Sequence, residues 1–315
     1  DRKQLESLKE WRLKPAIFKA KIFVPVGIPK LSKTFETFSL NPAELGPSDW
    51  CGLFQIDPFE PSGHLILVAY NKVVRDGYTA VERDPQTGEI TRRLKVLPKS
   101  TYSIDDLKKC ILTDEDVTDP RTGFAQNTIR AIISRLDWAK ELPIFGPSPL
   151  NIEQILCPGQ ISILQIRELS DSTKALIVGV LTRKVFERMG RYHRIEQMLT
   201  RLKAKPKASE EDERSMREEI KRLEREMEKY PRIDQAWLLI DEVHVVCPSA
   251  GYTAAKEKLI EFVKRGRDSG LSMVFATQQP AAVDSQLLSQ LDLLIVHRLA
   301  TDKDISAASE NAVSP

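Results

Sequence analysis

Apolar residues recur along this chain in two rhythms, separated by short stretches rich in Pro, Ser and Gly. Residues 3–12 carry the spacing of a short helix, and residues 20–26 (AKIFVPV) predict a strand stopped by Pro25 and Gly27. Residues 28–63 predict loops with short helices. The run HLILVAY at 64–70 is compatible with a strand or with a helix continuing to Val74, because continuous apolarity does not separate the two. Alternation over 78–84 and 89–96, around Pro85-Gln86-Thr87-Gly88, predicts a β-hairpin.

Ser103 is the expected N-cap of a helix through Ile111, with Asp105 and Asp106 in its acid-favouring first turn. Ile129, Ile132, Ile133 and Leu136 lie at helical spacing within 123–138, and the proline-rich segment 143–149 closes that block. Residues 159–166 (GQISILQI) predict a buried strand. A long helix follows, capped by Ser170 or Ser172, with Leu176, Val180 and Val185 inward.

Between Tyr192 and Tyr230 the composition shifts towards charge. Tyr192, Ile195, Leu199 and Leu202 recur at steps of three and four, as do Met216, Ile220, Leu223, Met227 and Tyr230. Pro206 lies between the two series. The pattern predicts an antiparallel helical hairpin with a heptad seam, spanning 191–230. Such a hairpin serves as an arm against a neighbouring subunit, partner or DNA, or as a spacer. Beyond it, apolar runs return at 237–240, 272–276 and 293–296, with helices between, including one at 253–265. Short apolar strands alternating with helices predict a parallel sheet covered on both faces.

The chain has 315 residues and a net charge of only +2, with 29% charged residues. That balance excludes a disordered polyelectrolyte and supplies no global basic signature for nucleic acid. Cys51, Cys110, Cys157 and Cys247 form no CxxC pair, so neither a disulfide framework nor a zinc site is expected. A reducing, cytoplasmic setting is the simpler expectation. No apolar run is long enough to span a membrane.

The candidate chemistry begins at Trp237–Glu242 (WLLIDE), where an apolar strand ends in two acids. Parallel sheets place ligands outside the carboxyl ends of their strands. Asp241 is therefore placed to hold Mg²⁺, usually through water. Glu242 is placed to polarise a water for in-line attack on a γ-phosphate. The next strand ends in Thr277-Gln278-Gln279-Pro280, where Gln278, or Thr277 in its place, can hydrogen-bond the γ-phosphate or the attacking water. Between the two strands lies the segment KRGRDSG, which sets Arg265 and Arg267 at a surface. They suit a helix C-terminus, and they also suit an arginine finger, which offsets charge on a transferred phosphoryl group.

Taken together, WLLIDEVHVV, EFVKRGRDSGLSMVFATQQP and LLSQLDLLIVHRL resemble the HerA-like branch of the HerA/FtsK superfamily of P-loop NTPases. The resemblance covers residues 150–305 well and extends loosely to FVPVGIP and FSLNP. It implies a RecA-like α/β core, a mainly parallel sheet flanked by helices, with a helical-hairpin insertion and a small β-hairpin and helical subdomain. Residues 1–150 would hold a partial motor core and residues 151–315 the C-terminal half of the ATPase core. Asp241 would be the Walker B metal aspartate, Glu242 the catalytic glutamate and Gln278 the sensor glutamine. Arg267 would be a finger acting on a neighbouring subunit, with Arg265 as fallback. Thr277 would touch the nucleotide, and Arg298, at the end of the last strand, would face the nucleotide or an interface. The resemblance also implies ATP and Mg²⁺ as cofactors, DNA as the track, a homo-oligomeric ring, a hexamer in this family, and a nuclease partner in DNA-end processing. The Gly251-Tyr252 loop and segment 121–127 are candidate pore loops. Conjugation, packaging and defence-system ATPases share these motifs, and a non-catalytic NTPase-fold scaffold is the alternative outside enzymes.

One departure is large. No GxxxxGK[ST] occurs in the sequence, and Lys30 and Lys33 in GIPKLSKT do not complete one. The expectation is that the chain starts downstream of its P-loop, and that its fold is an incomplete motor core. This 315-residue chain alone is expected to bind ATP weakly or not at all. Equilibrium dialysis showing micromolar affinity would contradict that expectation.

Overall fold

The computed structural model describes residues 2–14, 18–84, 86–146, 149–205 and 210–310. Pro85 and Pro206, which the sequence assigns to turns, lie outside them. Helix α1 (Arg2–Glu10) leads into strand β1 (Lys19–Pro25), which pairs in parallel with β2 (Glu36–Phe38) on one side. On its other side it pairs in parallel with a distant strand, Gln160–Leu164. Strand β2 has three residues, too few to show an alternating period in the sequence.

The run at 64–70 is helical. Helix α2 (Pro47–Phe54) and helix α3 (Pro61–Asn71) both open with Pro at the first position, where a missing N–H costs nothing. Helix α3 continues as a wider turn over Lys72–Asp76. Leu65, Ile66, Ala69 and Val73 are buried at the spacing of one helical face, while Leu67 points outward. Strands β3 (Tyr78–Arg83) and β4 (Ile90–Val96) form the expected antiparallel hairpin. Helix α4 (Ile104–Thr113) carries the expected cap: Ser103 Oγ accepts from the Asp106 N–H, and the Asp106 carboxylate accepts from the Ser103 N–H at 2.8 Å. This reciprocal box satisfies two donors that a helix start leaves unpaired.

Helix α5 (Gln126–Lys140) and the short α6 (Ile152–Ile155) precede β5 (Gln160–Leu164). Then comes α7 (Asp171–Ala204), 34 residues long, which packs against α2 and is buried over its first five turns. Gly52 of α2 and Gly179 of α7 close on the same residue. A Cβ on either would sit 2.3–2.4 Å from backbone atoms of Ala254. The core around them is fixed by directional contacts as well as apolar area. The buried Trp50 donates its indole N–H to Tyr102 at 2.8 Å, and Tyr102 donates on to the Leu45 carbonyl. Asp49, 1% exposed, accepts from the Gly46 N–H, from Arg183 of α7 at 3.0 Å and from Lys258 at 2.6 Å.

Helix α7 runs without interruption into the first arm of the helical hairpin, so the two helices read separately in the sequence are one. Helix α8 (Glu210–Glu228) returns antiparallel. Ile195, Leu199 and Leu223 form the seam, with Leu202, Ile220 and Met227 against them. Arg188 anchors the root: it bonds Glu153 at 2.6 Å and the Pro231 carbonyl at 2.9 Å, and its guanidinium lies over the Tyr230 ring.

Strand β6 (Ala236–Ile240), helix α9 (Val243–Val246), helix α10 (Lys256–Arg265) and strand β7 (Leu271–Phe275) follow. Strands β6 and β7 pair in parallel as a separate two-stranded sheet. Helices α11 (Ser285–Leu288) and α12 (Asp302–Glu310) complete the chain. The architecture is mixed α/β, with parallel strands flanked by helices.

Two expectations are corrected. Residues 293–296 form no strand: the segment has no regular structure, and Leu293 and Ile295 are more than 70% exposed, with no neighbouring strand to pair them. The sheet is also not covered on both faces. Leu238, Ile240 and Met273 face the helices, but Trp237 is 62% and Leu239 70% exposed on the opposite face, where no described element packs. The apolar pattern was two-sided, but only one side has a covering layer among the described residues. All four cysteines are free, and Cys51, Cys110 and Cys247 are buried.

Because Asp49 compensates two cations at a helix junction, Asp49→Ala is expected to destabilise the fold by about 3 kcal/mol, leaving Arg183 and Lys258 without a counter-charge and held only by the Glu44 and Ala254 carbonyls. The shift in the urea unfolding midpoint measures it. An unchanged midpoint would mean that the cluster contributes nothing net.

Candidate active site

The carboxyl ends of β6 and β7 are tied by backbone hydrogen bonds beyond the strands. The Ala276 N–H donates to the Ile240 carbonyl at 2.9 Å, and the Val243 N–H donates to the Ala276 carbonyl at 3.0 Å. This sets residues 241–242 beside residues 276–278. Glu242 adopts left-handed backbone angles, φ 50° and ψ 50°, a conformation uncommon outside glycine. Strained backbone of this kind concentrates at functional sites. It turns the chain sharply out of β6 and into α9. Val243, Val246 and Cys247 then sink into a cluster with Ala175, Leu259 and Leu287, which makes a firm platform behind the turn.

Four of the residues singled out in the sequence meet on this platform. Asp241 is exposed, and its Oδ1 accepts from the Glu242 N–H at 3.0 Å. Gln278 donates from Nε2 to Glu242 Oε1 at 2.7 Å. Thr277 Oγ1 accepts from the Gln279 N–H at 3.0 Å and lies 3.0 Å from Nδ1 of His244. His244 Nδ1 is also 3.3 Å from Glu242 Oε2. No role attaches to His244 in the sequence reading. Its place two residues after Glu242, on the first turn of α9, is the signal that could have found it.

The arginines lie elsewhere. Arg267 stands in a turn just before β7, at the amino end of the strand, whereas Gln278 lies beyond its carboxyl end. Five residues of strand separate the two ends by roughly 16 Å. Gly270 makes that turn possible: its φ is 69°, and a Cβ there would lie 2.2 Å from the Asp234 carbonyl oxygen. Arg265 is at the same end, paired with Glu261 at 2.6 Å and near the Phe186 ring. Arg298 is exposed in the segment without regular structure rather than at a strand end. No hydrogen bond or ion pair among the described residues links it to the acid cluster.

A metal must be judged by the donors present. The described residues contain no cluster of three or more metal-ligating side chains. One exposed carboxylate beside a second acid does not make a calcium or zinc cage. It does suit Mg²⁺, which keeps its waters and takes one or two carboxylates together with substrate phosphates. Asp241 fits that role by its exposure and its place at a strand end.

The platform has its own clamp, which the sequence reading did not find. Asp284 caps α11 by accepting from the Gln286 N–H, donates its own N–H to the Cys247 carbonyl, and pairs with Lys256 at 2.8 Å. Burial pushes the Asp284 carboxyl up, but Lys256 and the α11 amides outweigh it and hold it below its usual 3.8.

The mixed α/β arrangement, with parallel strands flanked by helices, is consistent with a P-loop NTPase fold. Residues 169–300 match the Zonular occludens toxin (Zot) family. The chain is 25% identical over 181 residues to the DNA double-strand break repair helicase HerA of Pyrococcus furiosus, covering 56% of this chain and 31% of that protein. It is 33% identical over 78 residues to a probable helicase of Methanocaldococcus jannaschii, covering 24% of this chain and 15% of that protein. The chain thus spans less than a third of the length of the curated relatives it matches. These similarities support a HerA-like P-loop ATPase. No helix among the described residues is long and apolar enough to cross a membrane.

A carboxyl whose folded value is depressed stabilises the fold above its unfolded pKa, and the contribution is lost as pH falls through the folded value. The Asp284 clamp is therefore expected to be complete at neutral pH and to weaken below about pH 4. Asp284→Asn should flatten the acid limb of a stability–pH curve. An identical acid limb in the variant would show that the clamp carries no pH-dependent stability.

Proposed function

We propose that this chain carries the hydrolysis and sensing part of an ATP-driven, DNA-translocating motor. The observation that carries the reading is the 2.7 Å contact between Gln278 Nε2 and Glu242 Oε1, which unites a base candidate and a sensor candidate from adjacent strand ends. In this reading Glu242 accepts a proton from the attacking water, and Gln278 orients that water. Asp241 would hold Mg²⁺, which when bound would neutralise charge on phosphate oxygens. Thr277 binds a γ-phosphate oxygen.

Arg267 cannot reach the acid cluster of its own chain, since a strand's length intervenes. That separation favours a ring in which Arg267 of one subunit serves the nucleotide of the next, a hexamer being the proposed closure. The likeness to a protein named as a DNA double-strand break repair helicase supports DNA as the track; the role in DNA-end processing beside a nuclease is proposed from the family resemblance of the motifs alone. A cytoplasmic setting completes the proposal. Of the two candidate pore loops, 121–127 is the stronger: Tyr252 is half-buried against the main core, so its ring is not free to grip DNA. The second reading is a non-catalytic scaffold built on the same fold.

Glu242→Gln in the full-length protein decides between them. ATP binding should persist while hydrolysis falls by about 10²-fold or more, the range of a lost general base. Turnover equal to that of the unaltered protein would refute the role given to Glu242.

A further inference from the structure

His244 sits between two groups of the proposed site, and its geometry restricts what each can do. The Glu242 carboxylate is not symmetric in its surroundings. Oε1 takes the Gln278 donor, whereas Oε2 is enclosed and has no formed hydrogen bond. The polar atom recorded beside Oε2 is His244 Nδ1 at 3.3 Å, off the line of a good bond but close enough to act electrostatically. A bare Nδ1 lone pair facing a carboxylate oxygen is repulsive. A proton on Nδ1 turns the same contact into an attraction and offers the enclosed oxygen partial compensation, which buried polar atoms need.

The same proton settles Thr277. Its hydroxyl oxygen already accepts from the Gln279 N–H at 3.0 Å, and Nδ1 lies 3.0 Å away. With Nδ1–H donating, both acceptor positions of Oγ1 are filled. The Thr277 hydroxyl can then only donate, and its proton must point away from both partners, towards whatever acceptor lies beside the strand ends. With the other tautomer the hydroxyl proton would be spent on the histidine and nothing would remain for an anion.

We propose that His244, as an Nδ1–H ring, is a positioning residue of this site. It holds Glu242 by its inner oxygen, which leaves Oε1 as the working oxygen shared with Gln278, and it fixes Thr277 as an obligate donor to a phosphate oxygen. The inference rests on the hydrolase reading for the identity of the anion, but the tautomer is a property of this chain alone. Platform packing contributes: Val243 and Val246 of the same short helix are buried, so the backbone that carries His244 is held in place beside Glu242 and Thr277.

Two measurements test it. Long-range ¹H–¹⁵N spectra of the 315-residue chain, with His244→Asn used to assign its ring among the four histidines, read the tautomer directly. An Nδ1–H ring, or a doubly protonated one, supports the proposal; a neutral Nε2–H ring overturns it, whatever the turnover. In the full-length protein, Asn places an amide N–H where Nδ1 stands, whereas Gln places it where Nε2 stands. His244→Asn should therefore keep most of the ATPase rate. His244→Gln and His244→Ala should lose about tenfold or more in kcat, with KM changed far less. Thr277→Ser should be tolerated and Thr277→Val should not. Gln as effective as Asn, or Ala as active as the unaltered protein, would overturn the positioning role. Loss of turnover in Glu242→Gln alongside an Nε2–H ring would leave the hydrolase reading standing and remove only His244 from it.

Discussion

The candidate site depends on the parallel pairing of β6 with β7, extended past both strands by the bonds between Ile240, Ala276 and Val243. A shift of register by one residue would put every side chain of β7 on the opposite face. Leu271, Met273 and Phe275 would then leave the helices for the bare face, so apolar burial holds the register that the site requires. The left-handed turn at Glu242 is the local consequence. A chain leaving β6 in that register must turn at once to bury Val243, and the cost of the turn falls on the residue whose carboxylate is then presented at the edge.

Helix α7 transmits that arrangement to the rest of the molecule. Its first half packs against α2, α9 and α10, and its second half leaves the body as one arm of the hairpin. Arg183 ties it to Asp49, and Arg188 ties the hairpin root to Glu153 and Tyr230. The turn that carries Arg267 also packs against this helix. The hairpin and the arginine turn therefore share one rigid support at the end of β7 opposite the acids. A protein built this way presents acids and arginines at opposite ends of the same strands, an arrangement suited to head-to-tail assembly.

The sequence by itself determined most elements. The 3.6-residue rhythm of 192–230, the alternation flanking the turn at 85–88 and the Ser103 cap are local signals, and each reappears in the structure. It also picked out Asp241, Glu242, Thr277 and Gln278, because strand ends are visible where an apolar run meets polar residues. Only the tertiary structure decided that HLILVAY is a helix, since its apolar residues read alike in either form until Leu67 is found outside and Leu65 and Ile66 inside. Tertiary structure also decided that, among the described residues, 293–296 has no partner strand and one face of β6 has no covering layer, and that His244 meets a residue 33 positions away. Those outcomes depend on which distant segments come together. Local sequence fixes dihedral preference and amphipathic face, whereas pairing, covering layers and side-chain convergence are set by the sum of contacts over the whole chain.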